Sequence, residues 1–296
     1  MQTANWQALA ALISTSTERD YSPITESKSC GGGCIHYAEI VQLADGRRYF
    51  AKSNHGVGDM FAQEAYGLAA LKQVAAIRIP KVIAVGMLDD CKSALVLEAI
   101  DAGSIATDFW EDFGSRFARL HQNSISSQAG WSSDNYIGSN RQPNTSHPTW
   151  TEFFAQCRLE FQLRLARNNS RGSPEMFRLA RRLIDRLDDF LAHAAEPMVL
   201  LHGDLWSGNY LIDEVGGPVL IDPACYYGHR EADLAMPLLF GGFPDKFFAS
   251  YQATWPLRDD WRERVEIYKL YHLLNHLNLF GSGYLDGCLE ILRRFA

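Results

Sequence analysis

The 296-residue sequence has no apolar run close to the roughly 18 to 20 residues that a bilayer-spanning helix needs. Its N-terminus lacks a basic segment ahead of the short apolar stretch, which argues against a secretory signal. A basic cluster is absent too: 28 Lys and Arg stand against 35 Asp and Glu, so the net charge is −7. The sequence therefore predicts a soluble, cytoplasmic protein that binds neither nucleic acid nor membranes.

Cysteine is scarce and scattered, with six residues in all, which without a secretory signal indicates free thiols in a reducing cytoplasm. Two of them, Cys30 and Cys34, enclose three glycines in "CGGGC", just before a strand-like run. Glycine lets the backbone approach a ligand closely or take positive φ. The stretch alone is therefore compatible with a redox pair, half of a metal site or a phosphate-binding loop. No second Cys or His pair at zinc spacing accompanies it, which argues against a metal site.

The pattern of apolar residues changes along the chain. The first hundred residues read as a short helix followed by strands, with the Asp45-Gly46 turn signal joining two of them into a hairpin. Beyond them, helical periodicity dominates, in the segments 110–121, 151–166, 174–194 and 262–280. We therefore predict an α+β fold of two lobes: a small antiparallel-sheet lobe over 1–101 and a larger helical lobe over 102–296.

One island of short strands interrupts the helical half, "VLLHGDLWSGNYLIDEVGGPVLIDPA". It places Asp204, Asn209 and Asp222 on loops that bound a small hairpin with a Gly-Gly turn. Phosphoryl transfer needs a carboxylate aimed at the acceptor hydroxyl and oxygen ligands for Mg²⁺, which takes few protein ligands. Turn capping alone would also use Asp and Asn. The full spacing, His-x-Asp, four residues, Asn, and then Asp after a strand, is that of the kinase-like catalytic and metal-binding loops.

A kinase-like site also needs a lysine on a strand after the first hairpin and a helical glutamate to hold it. Lys52 ends the strand-like run "RRYFAK", and Glu64 shares an apolar helix face in the next segment. A carboxylate in an apolar stripe is costly to bury without a partner, and Lys52 is the natural one. Glu98 and Ile100 end the last strand of the small lobe, where we expect a hinge whose backbone binds adenine.

Several motifs resemble one family closely. "LLHGDLWSGN", "DPACYYGHREADLAM", "YHLLNHLNLFGSGY", "MFAQEAYGLAAL" and "DNYIG" are similar to the fructosamine kinase, or ketosamine 3-kinase, family over about residues 30 to 283. That family has a protein-kinase-like fold and is related to the aminoglycoside phosphotransferases and choline kinases. The resemblance implies ATP-dependent phosphorylation of the 3-hydroxyl of a ketosamine, on a free amine or a protein lysine. The 3-phosphate then decomposes and frees the amine, which is deglycation.

Carried over by position, the resemblance implies a role for each residue of the site. Asp204 is expected to be the general base, and Asn209 and Asp222 the Mg²⁺ ligands. Lys52 is expected to bind the phosphates of ATP, with Glu64 as its partner.

The motifs indicate the substrate-binding residues less clearly than the ATP-binding residues. Trp206, two residues past the base, is expected to be a sugar-stacking platform, although an indole there could equally pack in the core. Asp134 and Asn135, in the "DNYIG" loop, are expected to line the same pocket. Asp233 is expected to anchor the catalytic loop, and His202 to be structural.

One position departs from the family. Many members carry Asp where this chain has His229, so position 229 contributes no catalytic carboxylate here. His272 and His276 lie one helical turn apart, a spacing that zinc sites use. Because no third ligand is suggested nearby, we expect packing or hydrogen bonding instead.

Four questions stay open from the sequence. The sugar could be fructosamine or, as we favour, the shorter ribulosamine or erythrulosamine, and the chain could be a monomer or a homodimer. An aminoglycoside or choline kinase, and an inactive thiol-responsive regulator, are the alternative functions. Gly31, Gly32 and Gly33 are expected to cover the phosphates, in which case Cys30 and Cys34 are either silent thiols or an oxidative brake on turnover.

Overall fold

The computed structural model describes residues 2–30, 37–56, 58–88, 91–192 and 196–296, with side chains from residue 5 onward. The chain divides into two compact units: the sheet unit, Met1–Phe109 with Gly208–Asp222, and the helical unit, Trp110–Ser207 with Pro223–Ala296. The predicted lobe boundary follows residue 101. The unit division instead keeps residues 102–109 and the short segment 208–222 with the N-terminal strands.

The sheet unit is a five-stranded antiparallel sheet with two helices and a separate hairpin. The strand order is β1-β2-β3-β5-β4, and β10 pairs with β11. The predicted turn joins β2 to β3, with Gly46 at φ 87°. The elements are α1 (Gln2–Thr17), β1 (Ile24–Ser29), β2 (Tyr37–Leu43), β3 (Arg48–His55), α2 (Met60–Val74), β4 (Val82–Met87), β5 (Lys92–Glu98), β10 (Tyr210–Ile212) and β11 (Pro218–Leu220).

The core of the sheet unit lies where α1 packs on one face of the sheet. Leu9 and Ile13 of the helix meet inward residues such as Val41 and Val96, all of them buried. Alternation of side chains along each strand directs every second residue to this face.

The helical unit contains one small sheet, in the order β12-β9-β6, and one further strand pair, β7-β8. The long helix α10 is central to its core, since 13 of its 20 residues are buried. The elements are α3 (Phe109–Gln122, whose first residue belongs to the sheet unit), β6 (Ile125–Ser126), β7 (Asn135–Ile137), β8 (Asn140–Gln142), α4 (Trp150–Phe153), a π-helical segment (Phe154–Glu160), α5 (Phe161–Asn168), α6 (Pro174–Asp185), α7 (Leu187–Leu191), β9 (Met198–Leu201), β12 (Tyr226–Gly228), a 3₁₀ segment (Arg230–Leu234), α8 (Ala235–Phe240), α9 (Asp245–Thr254), α10 (Trp261–Phe280), a second 3₁₀ segment (Ser282–Tyr284) and α11 (Leu285–Phe295).

The predicted α+β class, with an antiparallel sheet first and helices after it, is confirmed. Two predicted helices differ in detail: the one at 151–166 contains the π-helical segment, and the one at 174–194 breaks at Arg186, whose φ of −118° and ψ of 7° leave the helical region. No helix within the described ranges combines the length and apolarity of a membrane span.

Candidate active site

A buried ion cluster lies in the sheet unit around Lys52. The lysine is 5% exposed and sits on the central strand β3, paired with Leu95 of β5. Its Nζ lies 2.8 Å from Oε1 of Glu64, on α2, and is also bonded to Oδ1 of Asp222, after β11. The predicted pairing of Lys52 with Glu64 is therefore present, and Asp222, which we expect to bind the metal, is the third member of the cluster.

The two carboxyl groups of this cluster stabilise the charge of Lys52. Burial alone would lower the pKa of Lys52, but Glu64 and Asp222 outweigh it and raise the pKa above its usual value. The lysine is therefore an ammonium at physiological pH. Burial raises the pKa of Glu64 to about 7, although Lys52 opposes that rise. Lys52 therefore lies between two carboxyl groups, of which Asp222 is the more exposed.

The hairpin β10-β11 holds two oxygen donors at the same end. Asn209 precedes it and Asp222 follows it; the Ile221 N–H donates to the Asn209 carbonyl at 3.1 Å, and Asn209 Nδ2 donates to the Asp222 carbonyl at 3.4 Å. Asp222 takes a left-handed conformation, with φ 55°, which costs a non-glycine residue roughly 1 kcal/mol. Its carboxylate is 36% exposed. An amide and a carboxylate oxygen fit Mg²⁺, which usually takes one or two protein carboxylates along with phosphate and water.

The loop that carries Asp204 lies in the helical unit, directly after β9. Asp233, in the first 3₁₀ segment, accepts hydrogen bonds from the backbone N–H of His202 at 2.6 Å and of Gly203 at 2.7 Å. His202 is fully buried, and its Nδ1 accepts from the Asp204 N–H at 3.3 Å. The prediction that Asp233 anchors this loop is confirmed, and a structural role for His202 stays a prediction.

Glycine is required beside the candidate base. Gly203 has φ 81°, and a Cβ there would lie 2.1 Å from the carbonyl oxygen of Ala224. The peptide of Ala224 is itself tied to the loop, since its N–H donates to the His202 carbonyl at 2.8 Å. The loop thus has one tightly packed backbone conformation before Asp204.

His121 lies beneath the anchor, and the sequence patterns did not identify it. Its Nε2 is 3.2 Å from Oδ2 of Asp233 and its Nδ1 is 2.8 Å from the Tyr251 hydroxyl. Burial lowers the pKa of His121, so the ring is neutral. The hydrogen-bond network then assigns the proton to Nε2, which donates to Asp233, while Nδ1 accepts from Tyr251.

The three residues predicted to contact substrate lie in the helical unit, in different settings. Trp206 is 36% exposed on the loop after Asp204. The Asp134 carboxylate accepts from the Asn144 N–H and from Arg141 Nε, both at 2.9 Å, and is 30% exposed. Asn135 is buried: its Nδ2 donates to the Cys225 carbonyl at 2.7 Å, and its Oδ1 accepts from two side-chain amides. These bonds hold the loop, and substrate contact stays a prediction for Trp206, Asp134 and Asn135.

A second residue without a signal in the sequence, Arg158, supports this loop. It is fully buried in the π-helical segment, lies 3.9 Å from the Tyr226 ring centroid, and donates to the Pro143 carbonyl at 2.6 Å and to Asn144 Oδ1 at 2.8 Å. Within the described ranges no carboxylate lies close enough to form an ion pair with it. π-Helical turns occur frequently at functional sites.

Glu98, at the predicted hinge, has partners for its side chain as well as for its backbone. Its N–H donates to the Lys81 carbonyl at 2.8 Å, and its carboxylate accepts from Arg78 at 2.8 Å and from the Lys81 N–H at 3.0 Å. Ile100, two residues on, is partly buried.

The predicted glycine loop, Gly31, Gly32 and Gly33, and Cys34 lie outside the described residues. Cys30 is half-buried, and its N–H donates to the Ala38 carbonyl at 2.9 Å.

The histidines expected to be non-catalytic have protein partners. His229 Nδ1 lies 2.9 Å from the Tyr268 hydroxyl, and His276 Nδ1 donates to the His272 carbonyl at 2.8 Å. Among the residues that the structure describes, no group of three or more His, Cys, Asp or Glu side chains could hold a metal ion. His276 thus bonds within its own helix, while the buried Nδ1 of His272 has no hydrogen-bond partner among the described residues.

Comparison with known proteins places the chain in one family. Residues 5–296 match the family described as fructosamine kinase. A "Probable ketoamine kinase" from Synechocystis is 40% identical over 293 residues, which are 98% of this chain and 97% of that protein. The chloroplastic protein-ribulosamine 3-kinase of Arabidopsis thaliana is 38% identical over 278 residues, 93% of this chain and 84% of the relative.

Solved structures agree with this assignment. One from Haemophilus somnus, provisionally described as a fructosamine-3-kinase, has a TM-score of 0.88 at 26% identity and covers 98% of this chain and 97% of its own. An aminoglycoside phosphotransferase crystallised with AMP-PNP and hygromycin B has a TM-score of 0.65 at 14% identity, over 96% and 98% of the two chains. The second likeness shows a common, protein-kinase-like fold. By the match over nearly its full length, the chain belongs to the fructosamine kinase family.

Proposed function

We propose that this protein is an ATP-dependent ketosamine 3-kinase. The observation that carries the proposal is the buried cluster of Lys52, Glu64 and Asp222, in a chain of the fructosamine kinase family. Burying an ammonium between two carboxyl groups costs desolvation free energy, so such a cluster is weak evidence for a purely stabilising role. A polyphosphate can displace Asp222 from Lys52, and the carboxylate is then available to a metal ion. The kinase-like cluster also argues against an inactive regulator.

In the proposed reaction, Asp204 accepts the proton of the 3-hydroxyl as that oxygen attacks the γ-phosphorus of ATP. The bond between the γ-phosphorus and the bridging oxygen breaks, and ADP leaves with the electron pair. Lys52 binds the α- and β-phosphates, held in position by Glu64. Asn209 and Asp222 would hold Mg²⁺, which supplies neutralising charge on the phosphates when bound.

The anchoring of the Asp204 loop supports its role as base. The loop must hold the carboxylate within hydrogen-bond reach of one hydroxyl among several on a sugar. Two short hydrogen bonds to Asp233 and the tightly packed Gly203 restrict its backbone. Such restriction favours transfer to a single hydroxyl of the sugar.

For the acceptor, we propose a ribulosamine or erythrulosamine in preference to a fructosamine, on a free amine or on a protein lysine. The name of the Arabidopsis relative, a protein-ribulosamine 3-kinase, supports this choice. The exposed indole of Trp206 offers an apolar face on which a sugar ring or short sugar chain can stack.

The test is coupled ADP release from the purified protein with ATP and Mg²⁺. The acceptors are ribulosamine, erythrulosamine, fructosamine, choline and an aminoglycoside, each at several concentrations. We expect turnover with the ketosamines and the highest kcat/KM with one of the two shorter sugars. Preference for choline or the aminoglycoside would overturn the proposal, and equal preference for fructosamine would remove the choice of sugar.

Asp204→Asn tests the base, with Asp188→Asn, on the exposed surface of α7, as the matched control. Loss of a general base lowers kcat by about 10² to 10⁴-fold. We expect that loss in Asp204→Asn, an unchanged affinity for an ATP analogue, and wild-type turnover in the control. Retained turnover in Asp204→Asn would remove Asp204 from its role.

A further inference from the structure

Arg78 joins two parts of the sheet unit that are far apart in sequence. It lies between α2 and β4. Its Nη2 donates to Glu98 Oε1 at 2.8 Å, and its Nη1 donates to Asp213 Oδ2 at 3.1 Å and to both oxygens of Glu214, at 2.9 and 2.8 Å. Glu98 ends β5, while Asp213 and Glu214 form the tip of the β10-β11 hairpin. One guanidinium thus connects the end of a sheet strand with the hairpin.

The backbone of Arg78 makes the same connection. Its carbonyl accepts from the Leu220 N–H at 3.1 Å, and Arg78 forms a parallel β-bridge with Val219. The residue therefore contacts β11 through its main chain and the hairpin tip through its side chain. Two independent sets of contacts at one residue restrict both the position and the tilt of the hairpin.

The hairpin tip is itself rigid. Asp213 Oδ1 accepts from the Gly217 N–H at 2.7 Å and from the Val215 N–H at 3.2 Å, which closes the turn. The Asp213 side chain is only 7% exposed. Burial alone would raise its pKa, but the Gly217 N–H and Arg78 outweigh burial and hold the pKa below its usual value. A rigid turn transmits the restraint at its tip to both strands.

These contacts differ from an ordinary surface ion pair. Exposed pairs contribute little to stability because water and salt screen them. Here the fork of one arginine reaches three carboxylates, and two of them, Asp213 and Glu98, are also bonded to backbone N–H groups. The planar fork is suited to such simultaneous contacts, and a lysine is not.

We propose that Arg78 is a positioning residue for nucleotide binding. It fixes the hairpin that carries Asn209 and Asp222 against the strand end at Glu98, whose backbone is the proposed adenine contact. The adenine end and the metal-phosphate end of one nucleotide are thereby held by a single side chain. This inference rests on the proposed function for the assignment of both ends, and it adds a residue that no motif identifies.

Equilibrium binding of AMP-PNP, with Mg²⁺ and with EDTA, tests the inference by calorimetry. In wild type, Mg²⁺ is expected to strengthen binding. In Arg78→Met the side-chain restraint on the hairpin that carries Asn209 and Asp222 is lost while the backbone bonds of residue 78 remain, so we expect the strengthening by Mg²⁺ to fall by about tenfold, equal to about 1.4 kcal/mol. Affinity in EDTA is expected to change less than about twofold, because Glu98 at the adenine end keeps its bonds to the Lys81 backbone without Arg78.

The matched control is Arg116→Met, which breaks an exposed pair with Asp112 on α3. It is expected to leave both affinities unchanged. Arg78→Lys keeps the charge but loses the fork, and we expect it to lie between wild type and Arg78→Met. It also serves as the test variant if Arg78→Met does not fold. Equal weakening with and without Mg²⁺, or no change in either, would overturn the positioning role.

Failure of this inference is distinguishable from failure of the proposed function. The binding measurement needs no acceptor, whereas the proposed function is tested by ADP release from wild type with a ketosamine. Wild-type turnover together with an unaltered Mg²⁺ effect in Arg78→Met would refute the inference alone. Absence of turnover together with the predicted change in the Mg²⁺ effect would refute the proposed acceptor and leave Arg78 in its role.

Discussion

Replacing Asp233 by Asn tests how strongly the catalytic loop depends on its anchor. The carboxylate of Asp233 accepts from two backbone N–H groups, of His202 at 2.6 Å and Gly203 at 2.7 Å, and from His121 Nε2 at 3.2 Å. An Asn side chain has one acceptor oxygen, so one of the two backbone N–H groups would face an NH₂ donor instead. The substitution therefore removes a charge-assisted hydrogen bond and leaves a buried donor without an acceptor.

The magnitude follows from these contacts. A hydrogen bond to a charged group contributes about 1.5 to 3 kcal/mol, and a buried unsatisfied donor costs about 1 to 3 kcal/mol. Because the two figures describe overlapping losses, we expect the free energy of unfolding to fall by about 3 kcal/mol. A shift of about 1 Å in a catalytic group costs about 10²-fold in rate, so kcat should fall by about that factor.

The assay combines urea unfolding, coupled ADP release and AMP-PNP binding on Asp233→Asn, with Asp188→Asn as control. We expect a lower urea midpoint at an unchanged slope and a much lower kcat. The nucleotide affinity should stay within about twofold of wild type, because none of the residues proposed to bind ATP belongs to this loop. A variant that folds with reduced stability and retains wild-type kcat would refute the reasoning, because the anchor would then serve stability alone.

Three further predictions concern single residues. Gly203→Ala should lower the free energy of unfolding by about 2 kcal/mol or more and abolish turnover, because its Cβ would clash with a carbonyl oxygen. Gly46→Ala is the control: its Cβ would have no atom within 4 Å, so only the positive φ should cost about 1 kcal/mol. Urea midpoints compare the two variants. Arg158→Met should raise the KM for ketosamine and leave the KM for ATP unchanged, because Arg158 holds the 134–144 loop. Steady-state kinetics with each substrate varied in turn measure both constants, and an equal effect on the two would contradict the prediction. Burial lowers the pKa of His272 to about 3, so its neutral form stabilises the fold above the unfolded pKa of about 6.5, and that stability is lost as pH falls toward 3. Between pH 7 and pH 5.5 the free energy of unfolding of the wild type should fall by about 1 kcal/mol more than that of His272→Phe. Parallel pH profiles of the two proteins would contradict the assignment.

The parts of the site that follow from local pattern could be predicted from the sequence. Lys52 and Glu64 were identified because a charged residue in an apolar helix stripe requires a partner, and the structure places them 2.8 Å apart. Asn209 and Asp222 were identified by their positions at the two ends of a short hairpin. Asp233 was identified as an anchor by its place near a helix start.

The residues that support the site could not be predicted, because their roles depend on contacts across long stretches of sequence. Arg78 contacts a hairpin 135 residues further along the chain, and His121 contacts Asp233 at a separation of 112 residues. Neither residue interrupts an apolar pattern in a way that signals its partner. Arg158 lies in a π-helical turn, which a search for the 3.6-residue period does not detect.

The most direct test of the central claim is identification of the phosphorylated product from wild-type protein, ATP, Mg²⁺ and a ribulosamine or erythrulosamine. NMR of the product should place the new phosphate on the 3-oxygen, one phosphate per ADP released, followed by release of the free amine. Turnover with the phosphate on another oxygen, or ADP release from choline or an aminoglycoside in preference to every ketosamine, would contradict the account.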